Sequence, residues 1–171
     1  VIHNVHQREF RATEARLSEL LDEMGGPNDR LWPRGWTPMV LTQPLAVGSD
    51  GGHGDIRYRV TEYEPGRRVE FTFTPPTPLD GTHALEVLPG SRPDTAILRH
   101  VLMGTPVGVA GRLAWTLMIR WMHDCVLEEL LDNAGAAVGD PPARQATRST
   151  WVRLGRCALR EGDTSRSPSQ T

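Results

Sequence analysis

The chain contains no lysine: its 19 Lys+Arg positions are all arginine, set against 21 acidic residues for a formal charge of −2. So even a balance excludes a broad electrostatic footprint for nucleic acid or an anionic membrane. Cysteine is nearly as scarce. Cys125 and Cys157 stand alone without CxxC spacing, which argues for reduced thiols and against a disulfide framework. The opening VIHNVHQREF has no charged, long apolar leader, so export is not expected and the setting reads as cytoplasmic. No run of about 20 apolar residues is present, so no membrane span is expected either. GxSxG, P-loop, dinucleotide and HExxH patterns are all missing, leaving no cofactor and no metal to anticipate. Arginine in place of lysine, with abundant Ala, Gly and Pro, fits the codon bias of a high-GC bacterial genome.

The dominant feature is a helical pattern from Val107 to Ala134, about seven turns at 1.5 Å per residue, with Pro106 and Gly135 as expected stops. In its first half Leu113, Ala114, Trp115, Leu117, Met118, Ile119, Trp121 and Met122 cover most of the circumference. A helix apolar nearly all round is buried on more than one side, so Leu117 is expected in the core. In the second half Val126, Leu127, Leu130 and Leu131 form a stripe opposed by Glu128, Glu129, Asp132 and Asn133. Something must wrap this helix.

The wrapping is legible in strands. Residues 2–11 read as a strand of mixed polarity, followed by a helix capped at Thr13 with Leu17, Leu20, Leu21 and Met24 at helical spacing. Trp32 and Trp36 lie in a punctuated loop, able to lid or plug a cavity mouth; MVLTQPLAV is a short edge strand and SDGGHGD a turn. DIRYRVTEY and RRVEFTFT form a hairpin whose symmetric register pairs Tyr58 with Phe73, Val60 with Phe71 and Glu62 with Val69. THALEVL and DTAILRHVLM form another about PGSRP, pairing Val87 with Ala96, Leu85 with Leu98 and His83 with His100. After the helix, 135–150 reads as a linker. WVRLGRCALR is a short amphipathic segment for which docking on the domain is a plainer reading than membrane contact, and EGDTSRSPSQT is expected to be disordered.

This order, and in particular GDIRYRVTEYEPGRRVEFTF and LAWTLMIRWMHDCVLEELLDNA, resembles the SRPBCC superfamily of START and birch-pollen-allergen-like proteins, more narrowly its polyketide cyclase/dehydrase and lipid-transport-like group. The resemblance implies an α+β helix-grip fold: a curved antiparallel sheet around a long C-terminal helix with an internal cavity. It implies a ligand-binding domain over 1–135, with 136–171 as a Pro/Arg/Ser-rich, partly disordered tail. No catalytic residue is shared across that superfamily, so none is carried over.

The residues themselves offer His83, His100 and Tyr58 as candidates for proton transfer or polar anchoring, each also explicable as an ordinary core or rim side chain. The expected ligand contacts are Tyr58, Val60, Phe71, Phe73, His83, Leu85, Leu98, His100, Trp115, Met118 and Met122. Glu62 either faces inward or pairs with an arginine. His123, Asp124 and Glu128 do not have metal-ligand spacing; Arg120 supplies Asp124 with a simpler partner, and Asp124, Glu128, Glu129 and Asp132 read as a solvated face. Three functions follow as alternatives: a carrier of a hydrophobic lipid or aromatic polyketide-type molecule, a cyclase/dehydratase-type enzyme, or a protein-binding module. A homodimer is compatible with each.

Overall fold

The computed structural model describes residues 1–153; the expectations for WVRLGRCALR beyond Arg153 and for EGDTSRSPSQT lie outside the described residues. Seven strands, β1 (Ile2–Phe10), β2 (Val40–Leu41), β3 (Asp50–His53), β4 (Ile56–Glu64), β5 (Arg68–Thr74), β6 (Leu79–Pro89) and β7 (Ala96–Pro106), form one curved sheet in the order β1-β7-β6-β5-β4-β3-β2. Every pairing is antiparallel. A short helix α1 (Glu14–Asp22) follows β1, and one long helix runs through α2 (Gly108–Ala114), a wide turn at Trp115–Ile119 and α3 (Arg120–Val138). The helix packs on the sheet as a helix-grip fold.

Alternation dictates the sheet's inner face. Tyr58, Val60, Val69, Phe71, Leu85, Val87 and Leu98 are all buried, meeting Leu17, Leu20 and Leu21 of α1 and Val126, Leu127, Leu130 and Leu131 of α3. Tyr58 pairs with Phe73 and Val60 with Phe71 as the hairpin symmetry predicts. Beyond Val60 a β-bulge shifts the register, so Glu62 lies opposite Glu70 and Tyr63 opposite Val69. Glu62 therefore turns outward and pairs with Arg68 at 3.0 Å. The glycine-rich 50–53 segment, expected as a turn, is strand β3 paired to β4.

Three other expectations are corrected. First, the β6–β7 register differs by two residues: Val87 faces Leu98, Leu85 faces His100 and His83 faces Leu102. The connection closes further along, with Gly90 N donating to Thr95 O and Arg92 N to the Thr95 hydroxyl. Second, the helix does not stop at Gly135 but continues to Val138, and the left-handed residue that ends it is Gly139, at φ 86°. Third, the first half of the helix is not wrapped on all sides: Leu117 is 57% exposed, alongside exposed Val109, Leu113 and Trp121. The sheet and α1 grip the second half, where the apolar stripe is continuous.

Candidate functional site

Period-two alternation puts Asn4, His6, Arg8 and Phe10 of β1 on the face that looks at the helix. β1 pairs with β7 so that His6 lies beside His100. His83 occupies the same face of β6, because a register change of two residues preserves which side a strand residue faces. α3 supplies His123 and Asp124, while β3 supplies His53. The result is a row of rings across the concave face. Centroids lie 6.1 Å apart for His6–His123, 5.1 Å for His123–His100 and 5.5 Å for His100–His83. The row continues from His83 to Tyr58 at 5.1 Å, from Tyr58 to His53 at 6.0 Å, and from His53 to Trp32 at 4.8 Å. Phe71 and Phe73 both stack on His83 with centroids 5.0 Å away.

Burial sets the protonation of this row. Desolvation pushes His83 down to about 3 and His53 to about 4, and it lowers His100 well below its ordinary value and lowers His123 too. The neighbouring imidazoles act in the same direction. Desolvation raises the Tyr58 phenol, so it stays protonated. Neutral imidazoles make a specific arrangement: His100 Nε2 lies 3.3 Å from His83 Nδ1. Whichever ring donates, the pair is left with one free N–H and one free lone pair. Those free atoms are His83 Nε2 and His100 Nδ1, both buried without a partner, and the Tyr58 hydroxyl is buried and unpartnered as well. Buried polar groups are seldom left unpaired, and three on one apolar face are a set of contacts suited to a bound molecule.

At the other end the electrostatics reverse. His6 Nδ1 is 2.8 Å from Glu128 Oε1 and its Nε2 is 3.1 Å from Asp124 Oδ1. The Asp124 contact, opposed by partial burial and helped by Glu128, raises the His6 pKa. Burial works against ionisation of Asp124, but His123, His6 and Asn4 around it hold its carboxyl below the usual range. Arg8 bridges Glu128 and Asp132 at 2.9 and 2.7 Å. The acidic residues of α3 are thus not a solvated face. They are paired with β1, while Glu129 accepts from Trp36 Nε1 at 2.9 Å and pairs with Arg148. The expected Arg120–Asp124 pair is long, at 3.9 Å.

Of the residues expected to contact a ligand, Tyr58, Val60, Phe71, Phe73, His83, Leu85, Leu98 and His100 share the concave face, the larger ones clustered about His83. Trp115 approaches the row at His123, 6.2 Å between centroids. Met118 and Met122 are half-buried on the helix. His6, His53, His123 and Asp124 were not anticipated there. The signal that could have found His6 is the polar alternation Asn4, His6, Arg8 running into Phe10, odd for a face that ends in the core. A separate open cleft of about 310 Å³ lies among Glu9, Phe10, Arg11, Ser91, Arg92, Thr95 and Asp140. It contains none of the histidines, and its carboxylates are engaged: Glu9 by Ser91 and Thr95, Asp140 by Arg11. The concave face is therefore the better candidate.

Among the described residues no helix is long and apolar enough to cross a membrane. No protein-family model matches the chain, and no curated protein matches it. Similarity is found among solved structures. XoxI from Bacillus cereus is 18% identical, with 82% of this chain and 97% of that chain covered at a TM-score of 0.61. A Thermobifida fusca protein is 17% identical over 79% and 94% of the two chains, at 0.58. CalU16 from Micromonospora echinospora is 14% identical over 95% and 86%, at 0.55. At such identities the likeness carries the fold alone, in agreement with the helix-grip architecture described above.

Proposed function

We propose that the protein binds a hydrophobic small molecule of lipid or aromatic polyketide type on the concave face of its sheet. The observation that carries this reading is the trio of buried, unpartnered polar atoms: Tyr58 Oη, His83 Nε2 and His100 Nδ1. They lie among Phe71, Phe73, Leu85 and Leu98, so an apolar body and a few fixed polar contacts are both provided for. A molecule with a carbonyl and a hydroxyl matches the one acceptor and one donor that the histidine pair offers in either tautomer.

A cyclase or dehydratase-type activity is the second reading, favoured by that same pair. Neutral imidazoles held beside a phenol can take a proton from one carbon of a folded poly-β-ketone and return it to an oxygen, while the apolar walls hold the chain in a reactive shape. Binding without chemistry needs only the walls and the polar contacts.

Native mass spectrometry of protein purified from its own host, followed by titration with 2-naphthol read by tryptophan fluorescence, tests the proposal. The expected result is a retained mass, and saturable 1:1 binding that Tyr58→Phe and His83→Gln weaken by about 5–10-fold, the worth of one hydrogen bond. Absence of any retained mass together with no saturable binding would remove it. Consumption of a synthetic triketone ester, lost in His83→Gln, separates the enzyme from the carrier.

A further inference from the structure

We propose that His6, His123 and Asp124 form a binding site for a divalent transition-metal ion, zinc by donor type, at the seam between β1 and α3. This site is distinct from the ligand contacts above and does not depend on them. One ligand atom from each residue lies within 4.8 Å of the others. Asp124 Oδ1 is 3.1 Å from His6 Nε2 and 3.8 Å from His123 Nδ1, the latter too long for a hydrogen bond. Zinc held at about 2.0–2.2 Å from nitrogen and carboxylate oxygen sets its tetrahedral ligands about 3.3 Å apart. No separation among the three atoms exceeds 4.8 Å, so each is within about 1.5 Å of that spacing. Their side chains are 14%, 16% and 30% exposed, so the cluster is neither a surface accident nor sealed from solvent.

The hydrogen-bond arithmetic points the same way. If His6 Nδ1–H donates to Glu128 Oε1, the lone pair on Nε2 faces an oxygen of Asp124 that already accepts from Asn4 Nδ2 at 2.9 Å. Two acceptors so close repel unless a cation lies between them. A proton would serve, making His6 an imidazolium bridge between two carboxylates. That proton leaves His123 Nδ1 and Asn4 Oδ1 buried without partners. A metal ion takes both imidazole lone pairs and the carboxylate, and a water on its open position can donate to Asn4 Oδ1. Glu128 then plays the part that carboxylates play behind metal-bound histidines, fixing the tautomer of His6 and its ring plane. Arg8 holds Glu128 in that position through its 2.9 Å contact. Two imidazoles and one carboxylate, with no thiolate, form a borderline donor set that suits zinc over calcium or magnesium.

The test uses the full chain, stripped with a chelator and titrated with Zn(II) against a chromophoric competitor, then with Co(II) for visible ligand-field absorption. One equivalent is expected to bind with four-coordinate Co(II) absorption. His6→Gln, His123→Gln and Asp124→Asn should each weaken binding by more than about 100-fold, and Glu128→Gln by about 10–100-fold. His3→Gln, at an exposed position of β1, should leave it unchanged. A second readout needs no variant: one equivalent of Zn(II) should shift the ring resonances of His6 and His123 in the wild-type NMR spectrum, and not those of His3. No saturable Zn(II) binding, or shifts that spare His6 and His123, identifies the cluster as an imidazolium bridge only and overturns the proposal.

Discussion

His83 and His100 touch through their rings, Nδ1 to Nε2 at 3.3 Å, although neither is the other's partner across the strands. Each is paired with a leucine, and the contact is diagonal, within the reach of large side chains on one face of an antiparallel pair. Being diagonal and buried, the pair is sensitive to protonation in a direction that can be stated. His83 is pushed down to about 3 from an ordinary 6.5 by burial, with His123 and His53 adding to it. Between those values the unfolded chain binds a proton that the folded one refuses. Stability should therefore fall as pH drops below about 6.5, by up to about 1.4 kcal/mol per pH unit, until the folded value is reached. His6, with its raised pKa, works oppositely: its contribution is full at low pH and is lost as pH rises through its folded value. Urea unfolding of wild type and His83→Gln at about pH 7 and about pH 5.5 isolates the His83 share. The variant should show the shallower loss on acidification; equal slopes would mean His83 is not buried neutral.

Tyr58 is 1% exposed and its hydroxyl has no partner. Tyr58→Phe should therefore stabilise the free protein by about 1 kcal/mol or more, since a desolvated unpaired hydroxyl is removed while the packing on Phe71 and His83 stays. The same change should weaken 2-naphthol. Stability and binding moving in opposite directions is the expected result, and a less stable variant would mean that the hydroxyl is hydrogen-bonded after all.

Two leucines of the long helix should respond differently. Leu130, 2% exposed in the core stripe, should cost about 2–5 kcal/mol on truncation to alanine. Leu117, 57% exposed, should cost no more than about 0.5 kcal/mol. Chemical denaturation of the two variants checks both; similar losses would mean the first half of the helix is gripped as well.

Gly135 lies inside α3, where alanine ordinarily gains up to about 1 kcal/mol over glycine. Here an added Cβ would stand 2.6 Å from Asp140 O and 3.2 Å from Phe10 Cε1. Gly135→Ala should therefore destabilise, by about 1–3 kcal/mol, because β1 and the chain after the helix already occupy that space. A rise in melting temperature would contradict this packing.

Local patterns in the sequence determined a good deal. Alternation across 56–64 and 68–74 is enough to put Tyr58, Val60, Phe71 and Phe73 on one face, but their pairing matches the symmetric register only because the bulge between Val60 and Glu62 offsets a one-residue slip at the turn, where Glu64 faces Arg68. The common face of His83 and His100 was less legible, since Ile97 and Val101 on the other parity are apolar too, but it survived a register error because a slip of two residues leaves every side chain on its side. What symmetry could not supply was the closure of the β6–β7 loop at Thr95, which Glu9 of β1 helps to hold through the Thr95 hydroxyl, a contact 86 residues away in sequence. The role of the acidic face of α3 was likewise invisible. Asp124 meets His6 across 118 residues, and Glu128 meets Arg8 across 120, only because β1 adds to the sheet beside β7 and beneath the helix. Helical periodicity reports which residues are apolar, and it made the first half of the helix look fully enclosed. Which half is enclosed depends on where the sheet and α1 end, and that is settled by long-range packing.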